Sequence, residues 1–386
     1  MKKIFLTAIA LLTMASAQVF GMYGADSSWI DFLTHGNQFR ARINQLGFTL
    51  GNDTIKGTFG FHSGANGLHG VYASTDNKTH YNFNPTISMG LAYTSSLISV
   101  GVGYNATIGT SKWQKWNGKA NSKSTEAVVH TPVFVLNALD NAFRMAIPIQ
   151  VGQHTDKKDN GDKATATAVS LDAQFRYYTG LEIVPQLRLR LWYGNYSSEQ
   201  TTSSGKTKNT IAESFGFHFR LYFGSVVEEV ALNPIIKIEY KTALGKQHNQ
   251  KKVVATDVIN NLDPWNASGS SVAAWNKSSS SYGSRYGTHT WDLIITPALG
   301  LTANSDIVSL YLEPSLGFQV LQDGDNTQKN VKEAFKLAYD VYAEIYLRPL
   351  QNLEWYFETS IGNSGTAQAG LEFALSTGAT WYLPQL

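Results

Sequence analysis

Along most of the chain, apolar and polar residues alternate one for one, and runs of this alternation continue to the C-terminal end. Over 169–177, Val169, Leu171, Ala173, Phe175 and Tyr177 share one parity, and Ser170, Asp172, Gln174 and Arg176 share the other. A period of two is that of a strand whose faces meet different surroundings. The pattern recurs with Leu187, Leu189, Leu191 and Tyr193 against Gln186, Arg188, Arg190 and Trp192. It recurs again with Phe215, Phe217, Phe219, Leu221 and Phe223 against Ser214, Gly216, His218, Arg220 and Tyr222. Late in the chain, Phe335, Leu337, Tyr339, Val341, Ala343 and Ile345 oppose Lys336, Ala338, Asp340, Tyr342 and Glu344. Weaker runs lie at about 85–94, 98–108, 127–137, 142–152, 230–241, 290–302, 306–320, 352–361 and 369–383. Gly51-Asn52-Asp53, between runs at about 38–50 and 54–62, predicts a hairpin. Helical periodicity is scarce, and no stretch after residue 21 is apolar for 18 residues, so no spanning helix is expected.

The connections alternate in length. Short ones fall at 94–97, 138–141, 179–184, 224–229, 303–306 and 349–351. Long polar ones fall at about 63–84, 109–126, 153–165, 196–210, 242–289 and 321–333. Short turns on one side and long loops on the other are the habit of a transmembrane up-and-down antiparallel β-barrel. Fourteen runs can be counted from residue 54 onward and 28–50 can supply two more, so all-β with 16 strands is the expectation and 14 the alternative. An even count leaves both termini on the turn side. The loop at 242–289 is the longest, is rich in Ser, holds Trp265 and Trp275, and is expected to fold over or into the barrel.

Alternation alone does not say which face meets lipid. Residues 1–21 read as a signal peptide, with Lys2 and Lys3 before an apolar run from Ile4 to Met14, and cleavage after Ala17 or after Gly21. The exported remainder, 22–386, is then one barrel domain. Tyr93, Tyr104, Tyr177, Tyr193, Tyr240, Trp291, Trp355 and Trp381 cluster at strand ends, as an interfacial girdle would. The opposite parity carries bulky charges at mid-strand, as a wet lumen tolerates. The apolar face is therefore expected outward. The absence of Cys excludes disulfides, thiol catalysis and thiolate metal sites.

Charge changes the picture further. The 31 Lys+Arg against 29 Asp+Glu give +2, and removal of Lys2 and Lys3 leaves 29 against 29. A balanced, charge-poor chain does not carry the footprint of a general nucleic-acid binder. The balance nevertheless hides a segregation. By parity, Arg144, Arg176, Arg188, Arg190, Arg220, Lys237 and Lys241 point inward from 142–241, against Asp172 and Glu239. From 290–372 the inward set is Asp292, Glu313, Asp340, Glu344, Glu354, Glu358 and Glu372, against Lys336. A basic arc facing an acidic arc across the lumen would give a transverse field, an arrangement suited to a passive diffusion channel. The alternative is a lumen sealed by pairing, or plugged by the 242–289 loop.

Other constellations point nowhere specific. Gly101-Val102-Gly103-Tyr104-Asn105-Ala106 imitates a dinucleotide fingerprint but lies within a strand, where glycines serve curvature or packing. Asp156, Asp159 and Asp162, and likewise Asp323, Asp325 and Asn326, lack the spacing of an EF-hand. No metal site or cofactor is expected. Ser214 and His218 share a face, which leaves a barrel hydrolase as a remote alternative; the expectation is no enzyme. Lys112, Lys115, Lys119 and Lys123 with Trp113 and Trp116 make the 109–126 loop a candidate contact for acidic glycans, with a solvated loop as the default. Tyr23 and Trp29 are read as anchors of the first strand.

The segment after the signal is distinctive: Met22-Tyr23-Gly24, then Ser28-Trp29-Ile30-Asp31-Phe32-Leu33-Thr34-His35-Gly36-Asn37-Gln38-Phe39-Arg40-Ala41-Arg42, then Gln45-Leu46-Gly47-Phe48. It resembles the variable surface protein family of Brachyspira, intestinal spirochaetes, most strongly over residues 1–60. The resemblance implies an abundant bacterial outer-membrane protein with surface-exposed, antigenically variable loops, and cleavage after Gly21. The family offers no catalytic residues. The ending Trp381-Tyr382-Leu383-Pro384-Gln385-Leu386 departs from the terminal aromatic usual in outer-membrane barrels. Expected partners are outer-membrane lipids and host antibodies or surface ligands, with a homo-oligomer as an alternative to a monomer, and no nucleic acid. A non-conducting antigen or adhesin is the second functional reading.

Overall fold

The computed structural model describes residues 23, 28–42, 45–63, 85–108, 122–158, 160–227, 230–244, 255, 265, 291–323, 332–363 and 371–383. A 3-10 turn, Ser28–Asp31, precedes seventeen strands. They are β1 (Gln38–Arg42), β2 (Gln45–Gly51), β3 (Ile55–Ser63), β4 (Pro85–Tyr93), β5 (Ile98–Ile108), β6 (Ser122–Ala138), β7 (Phe143–Lys158), β8 (Lys163–Tyr178) and β9 (Gln186–Thr202). They continue with β10 (Gly205–Tyr222), β11 (Ser225–Val227), β12 (Val230–Ala243), β13 (Trp291–Asn304), β14 (Val308–Asp323), β15 (Lys332–Leu350), β16 (Leu353–Gly362) and β17 (Glu372–Leu383).

Each strand pairs antiparallel with its neighbour in sequence, and β17 returns to β1 through Phe39↔Leu383, Arg40↔Tyr382 and Ala41↔Trp381. The three-residue β11 prolongs β10 against the start of β12. The wall among the described residues is thus a closed ring of sixteen strands, with no unpaired edge. The 28–50 region does supply two of them, because the run at 38–50 divides into β1 and β2.

Burial fixes which way the wall faces. Phe335 is 72% and Leu337 56% exposed, while Glu344 on the same strand is 1% exposed. On β8, Ser170, Asp172, Gln174 and Arg176 are buried and Tyr177 is exposed. A water-soluble sheet would hide its apolar parity; this one displays it, as a lipid-facing barrel must. Tyr93, Tyr177, Trp355 and Trp381 are exposed at the short-turn ends of their strands. No helix among the described residues is long and apolar enough to cross a membrane, which leaves the crossing to the strands.

Two expected loops are not loops. The segments 153–165 and 196–210 belong to the β7–β8 and β9–β10 hairpins, which close at Gly161 and Gly205, both with positive φ. The ladder runs almost to the tips, through Lys157↔Lys163 and Gly205↔Thr202. Strands β6 to β10 are therefore 16–18 residues long, beyond the roughly 9–11 that span a bilayer. Beyond the lipid the outer face no longer calls for apolar side chains, so alternation of polarity fades while backbone pairing persists; the inner face there stays covered, with Ala164 and Ala166 0% exposed. The signal segment, its cleavage sites, Asp159, Asp325, Asn326 and most of the 109–126 and 242–289 loops lie outside the described residues.

Candidate functional site: a partitioned lumen

The inner face divides into three sectors. Strands β2 to β6 present, besides Lys56, small or neutral groups, including Thr49, Thr58, Ser88, Gly90, Ala92, Gly101, Gly103, Val133 and Val135. This sector receives the segment before β1, which turns into the barrel rather than lying along it. Trp29 inserts where a Cβ on Gly103 would stand 2.3 Å, and one on Gly90 2.8 Å, from its ring. The two glycines are thus a slot for an indole, and the apparent fingerprint on β5 serves packing. Tyr23, Trp29, Ile30, Phe32 and Leu33 form one buried cluster with Ala92, Val133, Val135 and Ala146. Tyr23 and Trp29 have ring centroids 5.1 Å apart, and Tyr23 and Phe32 5.0 Å.

Polar contacts pin the same segment. Lys56 Nζ donates to the carbonyls of Leu33 at 2.8 Å and His35 at 2.6 Å. The Tyr23 hydroxyl lies 3.0 Å from His35 Nδ1 and 3.1 Å from Thr49 Oγ1. Ser88 Oγ donates to the Tyr23 carbonyl. Burial lowers the His35 pKa to about 4 and raises that of the Tyr23 hydroxyl. Asp31 Oδ1 accepts from Arg176 at 2.7 Å and from Arg144 at 3.3 Å.

The second sector, β7 to β10 and β12, holds the basic set. Register aligns most of it into one row: Arg144↔Arg176, Arg176↔Arg188, Arg188↔Arg220 and Arg220↔Lys237 are directly opposite across successive strand pairs. Arg144 stacks over Tyr178 and Arg188 over Tyr222, each 4.8 Å from the ring centroid. Arg220 Nε donates to His218 Nε2 at 3.1 Å, and Lys237 pairs with Glu313. One residue pair further in, Arg190 grips Asp172 through two bonds of 2.6 and 2.5 Å. Lys241 pairs with Glu239 at 2.8 Å and reaches Asp292 at 3.7 Å.

The third sector, β13 to β17, holds the acids, and tyrosines cap them. Tyr311 donates to Glu313 and Tyr342 to Glu344. Tyr346 donates to Glu358 at 3.0 Å and Tyr382 to Glu354 at 3.1 Å. Arg348 also donates to Glu354, Gln319 to Asp292 and Ser360 to Asp340. Glu344 and Glu358 are direct cross-strand partners. Glu372 pairs through its backbone with Gly362; its side chain lies outside the described residues. Arg42 on β1 bonds Thr380 and stacks 4.3 Å over Tyr356. Arg40 and Arg42 thus flank the acids from the far side, a contribution that parity on β1 could have signalled.

The two charged arcs are neighbours rather than opposites. Each takes five adjacent wall strands of sixteen, so closure joins them edge to edge at β12–β13 instead of setting them across a diameter. The field is therefore steepest at that seam, where Lys237 and Lys241 meet Glu313 and Asp292.

Of the 242–289 loop, two described residues touch the lumenal wall. The Ala255 amide donates to Ser170 Oγ at 3.0 Å. Trp265 Nε1 donates to Asp156 Oδ2 at 2.8 Å, its carbonyl accepts from Gln200, and Lys158 lies 3.9 Å over its ring. Ala255 and Trp265 thus lie against the inner face of β7 to β9. Ser214 and His218, the remote hydrolase candidates, stand four residues apart on one strand, about 13 Å, so they do not form a dyad.

A closed antiparallel wall with its apolar face outward and a charged interior defines an outer-membrane β-barrel. The sequence matches the family described as Serpulina hyodysenteriae variable surface protein over residues 2–382. The chain belongs to that family. No curated protein matches it. Among solved structures it is similar to "Copper transporter OprC", with 10% identity, 90% of this chain and 65% of that chain covered, and a TM-score of 0.42. It is also similar to the FrpB iron transporter from Neisseria meningitidis (F5-1 variant, apoprotein form), with 10% identity, 87% and 61% covered, and a TM-score of 0.41. The chain spans less than two thirds of the length of these structures.

Proposed function

We propose that this protein is a surface-displayed, antigenically variable outer-membrane barrel that also passes small polar solutes passively, along an eccentric path. The observation that carries the channel reading is the division of the lumen. Among the described residues, the inserted N-terminal segment and the two docked residues of the long loop engage β1 to β9. Apart from the four arginines of β7 to β9, the lumenal charges of the two arcs stand on β10 to β17, on the other side. Charged side chains stand on a wall only where water or partners meet them, and a sixteen-strand ring is wide enough for an aqueous channel. Loops on the far side from the short turns would vary freely, because they do not shape the wall. The protein acts without catalysis in this reading. Its partners in this reading are membrane lipids and host antibodies or surface ligands, and cross-linking of the purified protein distinguishes a homo-oligomer from a monomer. Efflux of a small sugar from proteoliposomes tests the channel. Retention of the sugar by liposomes holding correctly folded protein would favour the non-conducting antigen, the reading to which the inserted segment lends weight. Antibody binding to intact cells tests surface display.

A further inference from the structure

We propose that Arg144 and Arg176 form an oxyanion-binding site in the lumen, that Asp31 is its built-in occupant, and that small phosphate-bearing solutes compete with Asp31 for it. The inference rests on the wet-lumen reading above but not on an open channel.

Three observations carry it. The first is register. Arg144, Arg176, Arg188, Arg220 and Lys237 stand side by side on five adjacent strands. Like charges directly opposite one another destabilise a sheet, and a row of this length calls for anions to hold it together. The second is the source of the anion. Asp31 does not belong to the wall; it comes from the 3-10 turn of the inserted segment, and one of its oxygens serves both guanidiniums. That is how two arginines would receive an oxygen of a free oxyanion, with in-plane N–H donors converging on it. The third is support. The ring of Tyr178 covers one face of the Arg144 guanidinium, the Asn141 carbonyl accepts from its Nε at 3.2 Å, and Thr34 Oγ1 lies 3.2 Å from Nη1. Tyr178 and Asn141 hold the Arg144 guanidinium from the wall side, while its Nη1 turns to the inserted segment, where it meets Asp31 and Thr34. A tethered carboxylate competes at a high effective concentration, on the order of millimolar, so the site is masked in the resting protein and is uncovered when Asp31 leaves.

The test is calorimetric titration of the full-length, detergent-solubilised protein with inorganic phosphate at constant ionic strength, against chloride as control. Heat-modifiable gel mobility shows that each variant retains its barrel. Asp31→Asn is expected to bind phosphate at least tenfold more tightly than the unaltered chain. Adding Arg176→Gln to it should abolish that gain, and Arg176→Lys, which keeps the charge but loses the fork, should restore only part. Phosphate affinity that is the same with and without Asp31, or a gain that survives Arg176→Gln, would overturn the proposal. Phosphate binding without sugar efflux would sink the channel and leave the site standing; efflux without this binding pattern would do the reverse.

Discussion

Removal of the Trp29 indole is the sharpest way to ask whether the N-terminal segment is docked in the lumen. Trp29 is 1% exposed, and it fills a slot whose floor is the backbone of β4 and β5 at Gly90 and Gly103. Truncating a buried Trp to Ala costs about 3–5 kcal/mol, and most where the surroundings cannot collapse. Two paired strands of a closed wall cannot move in to fill the space, so the upper part of that range applies. At about 1.4 kcal/mol per tenfold, the population with the segment undocked should rise roughly 10³-fold or somewhat more. The absence of Cys makes this measurable. Ile30, 1% exposed beside Trp29, becomes a lone reporter as Ile30→Cys, and its maleimide labelling rate follows the undocked population when redocking is fast. Trp29→Ala in that background should raise the rate by two orders of magnitude or more. Gly103→Ala should act in the same direction from the wall side, because its new Cβ overlaps the indole. A labelling rate indifferent to both changes would refute the docked segment and the slot together.

Further outcomes follow from the same geometry. His35 has a pKa near 4 when docked and near 6.5 when free. The undocked state alone takes up the proton between those values, so docking weakens as pH falls from 6.5 to 4, by at most about 3 kcal/mol. Ile30→Cys labelling, normalised to an exposed Gly36→Cys, should accelerate over that window, and His35→Gln should flatten the dependence. Glu313→Gln strands the mostly buried Lys237 and should destabilise the barrel by about 1–3 kcal/mol, less than a dry interior would give, read as a lower temperature for the gel-mobility shift. Val341→Arg, mid-strand on the outer face, should cost about 2–4 kcal/mol in urea titrations of liposome folding; an unchanged urea midpoint in liposomes would contradict a lipid-facing position.

Most of the wall could be read in the chain because period-two alternation survives wherever one face meets lipid. Phe335 to Ile345 and Val169 to Tyr177 needed nothing but parity. What escaped lies where that physics stops. Beyond the lipid the outer face of β7 to β10 is polar like the inner one, polarity no longer alternates, and strands pass for loops. The inserted segment is too short and irregular for any period; only the apolar cluster Trp29, Ile30, Phe32 and Leu33, beside small inward residues on β4 and β5, could have suggested it. Parity told which charges share a face but not their height, since height depends on register. Hence five cations in one row, and two arcs abutting at β12–β13, emerged only from the pairing of strands. Tyrosine capping of the acids was half visible, in the i, i+2 spacing of Tyr311 with Glu313 and Tyr342 with Glu344.

The central claim, a polar conduit narrowed by an inserted segment, meets its most direct test in planar-bilayer recordings of the purified protein and its Trp29→Ala variant. The account predicts small discrete conductance steps for the unaltered chain and larger ones for the variant. Silent membranes with both proteins, each shown to be folded by its heat-modifiable mobility, would contradict it.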